Sequence, residues 1–413
     1  MDSSSATALC LHSWGANSYG QLGQGHAEDV AEPRLSDTAA LHRTAARQLS
    51  GGGGHTVVVT ESGEVLVCGQ NHKGQLGLGH TTDVSILRLC PHLSQRVTSV
   101  SCGWDFTLLL TDCGRVLSCG SNAFGQLGVG ESISHSADLH YKLSSVYFLF
   151  HCPATKPLFF LLLEDSGCVY QWGTGLSSHA KRALSPHPVP VHLSSKVPSL
   201  VPGLDHVTPC AVAAGSVHCV CLTGEGHLFL WGSNKHGQLS TTEPFSSSPS
   251  LLKSSLMDGE RVAHVWSGWT HIVAQTVSGK VFTWGRESYG QLGRKERESA
   301  GPLVEGGSQQ ACHPAEVKVL CGATQIACGS EHNLAIVGGC LFSWGWNEHG
   351  MCGDGSQTDV VQPQLISSLR PLLIGCGAGH SMAMCAVKTD SRQNSVADPP
   401  VTLEQESEHL ADM

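Results

Sequence analysis

The sequence predicts an all-β protein, a seven-bladed β-propeller closed by pairing of its N- and C-terminal strands. Three observations carry this prediction: a ten-residue phrase that recurs along the chain, a second phrase at a near-constant distance before it, and a composition poor in helix formers. Glycine takes 48 of 413 positions, against roughly 7% in an average protein, and it destabilises helix interiors. Charged residues are 14% and the mean hydropathy is −0.03. Such a chain has ample material for a core, which excludes wholesale disorder.

The first phrase reads Trp14-Gly15-Ala16-Asn17-Ser18-Tyr19-Gly20-Gln21-Leu22-Gly23. Copies begin at Cys68, Cys119, Trp231, Trp284 and Trp344, and a degenerate one at Trp172 lacks the Gln-Leu-Gly ending. The first glycines are Gly15, Gly69, Gly120, Gly173, Gly232, Gly285 and Gly345, spaced by 54, 51, 53, 59, 53 and 60 residues. Self-similarity at such a period marks a repeat architecture.

The second phrase is Gly-x-x-His, ending at His55, His218, His271, His332 and His380, with Phe106 in the histidine's place in the second unit. Fourteen residues separate this position from the next Trp/Cys-Gly glycine in the well-matched units, and 13 after His332. That constancy is what a fixed hairpin requires. Residues 57–60 and 64–67 are β-rich runs joined by Glu61-Ser62-Gly63, and glycine there takes a positive φ without a Cβ clash. The recurring corner then leads into a variable stretch that often holds proline, as at Pro33, Pro249, Pro302 and Pro363.

Units of this kind cannot bury both faces alone, and radial stacking also shields their edges. The termini favour a ring over a solenoid. Residues 381–387 lack a following Trp-Gly partner and residues 9–15 lack a preceding Gly-x-x-His strand, so together they complete one blade. A solenoid would instead need polar caps.

The two phrases resemble the repeats of the regulator-of-chromosome-condensation family, over residues 8–387. The resemblance implies a seven-bladed propeller that acts as a guanine nucleotide exchange factor or regulator of a small GTPase, with secretory-pathway proteins as further partners. It also implies that acidic residues at the variable positions of some Gly-x-x-His motifs help to free nucleotide. The matching positions here are Asp105 and Glu331.

Sevenfold repetition separates structure from site, because a site needs asymmetry. The recurring histidines read as making a structural hydrogen bond, the Asn17, Asn71, Asn122, Asn234 and Asn347 series as corner chemistry, and the Trp and Cys positions as inter-blade packing. Two departures stand out. The fourth unit carries Lys181-Arg182 and a proline-rich run, and a second insertion after Gly293 carries Arg294, Lys295 and Arg297. These basic residues are candidates for partner contact on loops held by a rigid scaffold. A non-catalytic scaffold that binds proteins through its rim loops is the alternative function.

Other classes are disfavoured. No Gly-Lys-Ser/Thr follows the glycines at 51–54, and the chain has neither a G-x-S-x-G elbow nor an H-E-x-x-H helix. No cofactor or metal is expected. The 18 cysteines include no C-x-x-C pair, so they read as reduced, buried thiols. A net charge of −10, with no Lys or Arg before Arg34, argues against nucleic acid as a partner. The apolar stretch at 146–163 is broken by Pro153, Lys156 and Pro157, which argues against membrane insertion. Residues 388–413 read as an acidic disordered tail. A monomer is expected, in the cytoplasm with the nucleus also open to it.

Overall fold

Glycine-rich turns separate short apolar runs along each repeat, and the chain folds into four-stranded antiparallel sheets. The computed structural model describes residues 9–386 apart from 42–43, 92, 144–145, 150–159, 165–166, 174–180, 183, 187 and 295–311. Seven four-stranded sheets are present among these residues. The predicted acidic tail lies outside them.

In one typical sheet the strands are Ala46–Gly51, His55–Thr60, Val65–Gly69 and Val84–Leu89. First strands of neighbouring sheets pack against one another around a central axis. The second and third strands form the predicted hairpin, with His55 opposite Gly69. The same pairing recurs as His218 with Gly232, His271 with Gly285 and His332 with Gly345. Turn glycine Gly63 has φ +84°, as the hairpin required. Fourth strands form the outer edge. Pro33, Pro249 and Pro363 all lie in them, where a missing N–H leaves no ladder bond unmade; Pro302 is outside the described residues.

The ring closes as the sequence predicted. Leu9–Gly15 pairs antiparallel with His380–Ala386 through seven residue pairs, from Leu9 opposite Ala386 to Gly15 opposite His380. Strands from both ends of the chain thus share one sheet. Unlatching either terminus would expose two apolar strand edges at once.

Inter-blade contacts explain the two phrases residue by residue. Trp14, Trp231, Trp284 and Trp344 are fully buried, and Cys68 and Cys119 occupy the same position at 1% exposure. The indole Nε1 of Trp284 donates to the Gln238 carbonyl at 2.8 Å, and that of Trp344 to the Gln291 carbonyl at 3.0 Å. Cys68 and Cys119 reach the Gln21 and Gln75 carbonyls through Sγ, both at 3.5 Å. Trp and Cys therefore interchange because both bring an apolar body and a donor to the neighbouring corner. The fourth unit lacks that corner, and Trp231 donates to the Gln171 side chain instead, at 2.7 Å.

Each of these histidines is a clasp. His380 Nε2 meets Thr56 Oγ1 at 2.8 Å, and Thr56 Oγ1 donates to the Gln21 carbonyl at 2.7 Å. His55, Thr107 and Gln75 repeat the chain at 3.0 and 2.7 Å, and His332, Ser381 and Met351 at the same two distances. Since the hydroxyl proton goes to the carbonyl, Nε2 must donate to the hydroxyl, which fixes the neutral tautomer. Burial pushes His55, His218 and His332 down to about 3 and His380 to about 4. The glycine three residues earlier lies flat against the ring, where an added Cβ would overlap imidazole atoms in all five motifs.

Asn and Gln complete the corner. Asn17 Oδ1 accepts from the Leu22 amide at 3.0 Å, and Gln21 Oε1 from the Tyr19 amide at 3.0 Å. Corners at Asn71, Asn122, Asn234 and Asn347 repeat the first bond. Seventeen described cysteines are free thiols, and burial pushes Cys68, Cys102 and Cys221 up to about 12.

Candidate partner-binding face

Among the described residues, hairpin geometry puts both phrases at one end of six of the seven sheets. The corner amides of Ala16, Gln70, Ser121, Ser233, Arg286 and Trp346 donate to the loop carbonyls of Gly379, Gly54, Asp105, Val217, Thr270 and Glu331, at 2.7–3.0 Å. One face of the propeller is consequently built from Gly-x-x-His loops near the axis and corners farther out.

Loops near the axis are also tied to one another. Ser216 N donates to Trp269 O, Trp269 N to Ser330 O, Ser330 N to Ala378 O, Ala378 N to Gly52 O, and Gly53 N to Trp104 O. This girdle of backbone bonds fixes the first variable residue of each motif at the mouth of the axis. Two of those residues are tryptophans. Trp104 and Trp269 approach to 5.9 Å between ring centroids, with planes at 43°. Two sheets separate them in one direction and three in the other, so their contact crosses the axis. Farther out lie Tyr19 and Phe124, 39% and 42% exposed, and Trp346, which packs against Tyr289 and His349.

The two acidic candidates both belong to this face but differ in environment. Asp105 is partly exposed, and Gln126 Nε2 reaches its Oδ1 at 3.5 Å. Burial raises its carboxyl above the ordinary value, while hydrogen bonds from Ser121 and Gln126 and the charge of Lys73 oppose that rise. Its carboxylate is open to an incoming partner.

Glu331 is only 3% exposed. Thr270 Oγ1 donates to Oε1 at 2.6 Å and Gln291 Nε2 to Oε2 at 2.7 Å. His271 Nδ1 lies 3.6 Å from Oε2, and Arg286 Nη1 3.7 Å from Oε1. Four neighbours, all from the adjacent blade, thus surround it, and a partner would meet Arg286 before it met Glu331. The structure does not bring Asp105 and Glu331 together: they sit in different blades on one face.

The basic candidates divide likewise. Lys181 and Arg182 are helical and exposed in the fourth-unit insertion. Arg294 is turned inward: its Nε and Nη2 are buried without a hydrogen-bond partner among the described residues. Burial lowers its pKa while the Glu287 charge opposes that. Glu287 stands where five sister corners have asparagine. Lys295 and Arg297 lie outside the described residues. Among the described residues no group of three or more His, Cys, Asp or Glu side chains is placed to hold a metal ion, and no helix is long and apolar enough to cross a membrane.

Sequence reasoning missed Arg286 and the Trp104–Trp269 contact. The signal for Arg286 was available: sister corners carry Ala16, Gln70, Ser121, Ser233 or Trp346 at its position. The tryptophan contact was not, because the sequence does not say which blades face each other across the axis.

Comparison with known proteins agrees with this architecture. The model of the RCC1-like domain matches residues 10–383. The chain is 48% identical to the secretion-regulating guanine nucleotide exchange factor of Bos taurus over 397 residues, covering 92% of this chain and 84% of that protein. Identity to the Mus musculus protein of the same name is 46%, with the same coverage. Among solved structures, Prp20p of Saccharomyces cerevisiae superposes with a TM-score of 0.77 at 23% identity, covering 94% of this chain and 93% of that one, a likeness of fold. With nearly the whole propeller matched, the chain belongs to the RCC1-like domain family.

Proposed function

We propose that the chain is a guanine nucleotide exchange factor or regulator of a small GTPase, which it receives on the loop face. The observation that carries this is the placement of asymmetric chemistry. Asp105, the Trp104–Trp269 contact and the Arg286–Glu331 pair break the repeat, and all lie on the face where the rigid girdle presents them. Its relatives at 46–48% identity are named as exchange factors, which supports the same reading.

Exchange needs no covalent step. A protein that binds the nucleotide-free GTPase more tightly than the loaded form lowers the barrier to nucleotide release by that difference. Asp105 is the group placed to act: a carboxylate at the mouth of the axis would repel bound phosphate or compete for its Mg²⁺ ion. Aromatic residues around it supply contact area at small entropic cost. As part of the same proposal, the partner system belongs to vesicle secretion, and the protein works as a monomer in the cytoplasm with access to the nucleus.

The test is capture of a panel of small GTPases, each nucleotide-free, GDP-loaded and GTP-loaded, followed by release of a fluorescent nucleotide. Preference for one nucleotide-free GTPase, with accelerated release, is the expected result. Preference for a GTP-loaded form would make the protein an effector instead. The exposed Lys181 and Arg182 favour a second reading, a scaffold that recruits proteins through its insertions. Deleting residues 294–310 or replacing Lys181 and Arg182 by Ala would then abolish partner capture with the fold intact.

A further inference from the structure

Two departures from the repeat meet in space. Arg286 is a cation where sister corners have Ala, Gln, Ser or Trp, and Glu331 is an acid where sister loops have Gly54, Asp105, Val217, Thr270 and Gly379. They come from adjacent blades and approach to 3.7 Å. Glu331 already accepts hydrogen bonds from Thr270 and Gln291, so its burial is offset without the arginine. At 3.7 Å the guanidinium is oriented by the carboxylate charge but not hydrogen-bonded to it.

The remaining contacts of Arg286 hold its plane while leaving an edge free. Its guanidinium carbon sits 4.6 Å from the Tyr289 ring centroid. Nε donates to Ser288 Oγ at 3.0 Å and Nη2 to the Tyr289 hydroxyl at 3.3 Å. A guanidinium has five N–H donors, so most are uncommitted, and the side chain is 29% exposed against 4% for Glu331. A planar, stacked guanidinium with free N–H groups is preorganised for bidentate recognition of an oxyanion.

We infer that Arg286 reads an oxyanion on the partner, and that Glu331 is the positioning residue that aims it. This rests on the reading that the loop face receives a small GTPase. Two sources present that chemistry, a carboxylate on the GTPase surface and a phosphate of its nucleotide.

The experiment measures equilibrium affinity of the full chain for the GTPase it captures, nucleotide-free and GDP-loaded. Arg286→Met should weaken binding about tenfold or more. Arg286→Lys should not restore it, because an ammonium lacks the fork. Glu331→Gln should weaken binding alone but add nothing in the Arg286→Met background, which is the signature of positioning in a double-mutant cycle. A loss shared by both nucleotide states identifies a carboxylate, and a loss confined to the GDP-loaded state identifies the phosphate. Thermal melting of each variant confirms folding; should Glu331→Gln not fold, Tyr289→Ala replaces it in the cycle. Undiminished affinity of Arg286→Met, with wild type binding, overturns the role of Arg286 and leaves the proposed function standing. Additive losses overturn the positioning role of Glu331. A wild-type chain that binds no GTPase overturns both the inference and the function on which it rests.

Discussion

Lowering the pH should unclasp the ring. His55, His218, His332 and His380 are fully buried and neutral, with burial holding them at about 3, 3, 3 and 4 against an ordinary 6.5. Each donates through Nε2, and each Nδ1 is buried with no hydrogen-bond partner among the described residues. A second proton would place a charged N–H where nothing accepts it. Because the folded pKa lies below the unfolded one, the unfolded state binds more protons as the pH falls. The clasps therefore contribute their full stability above pH 6.5 and lose it progressively toward pH 3. One pKa unit is about 1.4 kcal/mol, so at about pH 5 each histidine costs roughly 2 kcal/mol and the four together roughly 8 kcal/mol. That is comparable with the whole stability of a typical domain, about 5–15 kcal/mol.

Urea unfolding followed by tryptophan fluorescence at about pH 7 and about pH 5 measures the loss directly. His218→Gln removes one titrating group and keeps a side-chain donor near Ser267, whose Oγ lies 2.8 Å from His218 Nε2. That variant should lose about 1.4 kcal/mol less per pH unit than the wild type. Equal stability at the two pH values, or an unchanged slope in His218→Gln, would refute the clasp as the source of acid sensitivity.

Further outcomes follow from single residues. Trp284→Phe keeps the aromatic body but loses the donor to the Gln238 carbonyl, and should cost about 1–3 kcal/mol in urea unfolding. Gly329→Ala drives a methyl group into the His332 ring, whereas Gly203→Ala meets nothing within 4 Å at φ +86°; the first should lose roughly 3 kcal/mol or more and the second about 1 kcal/mol, read from chemical denaturation. Asp105→Asn should slow nucleotide release while leaving the melting temperature within a few degrees of wild type, since its side chain is partly exposed and the amide oxygen can still accept from Ser121 and Gln126. Glu331→Gln, by contrast, should lower the melting temperature, because it weakens a buried network shared by two blades.

What the sequence determined by itself was everything that repeats. The seven units, the hairpin, the turn glycines and the terminal closure follow from local periodicity, because each repeat must satisfy the same backbone groups in the same way. Even the roles of His55 and Asn17 were legible as structural, since a site has no reason to recur in every blade. The Trp-to-Cys exchange was legible as packing, although the shared carbonyl that permits it was not.

Tertiary structure alone decided how the non-repeating residues are used. Asp105 and Glu331 occupy matching positions in sequence, yet one is partly exposed and the other is enclosed by Thr270, Gln291, His271 and Arg286. The difference lies in which corner reaches the acid: Asp105 is met by Ser121 and Gln126 of its own blade, and Glu331 by the Arg286 and Gln291 corner of its neighbour. Arg294 reads as a surface cation and is turned inward toward Glu287, which stands in an asparagine's place. Trp104 and Trp269 are 165 residues apart and meet only because closure of seven sheets brings their loops across one axis. Contacts between blades depend on ring geometry, and a linear pattern specifies the blade but not which of its neighbours' side chains it will face.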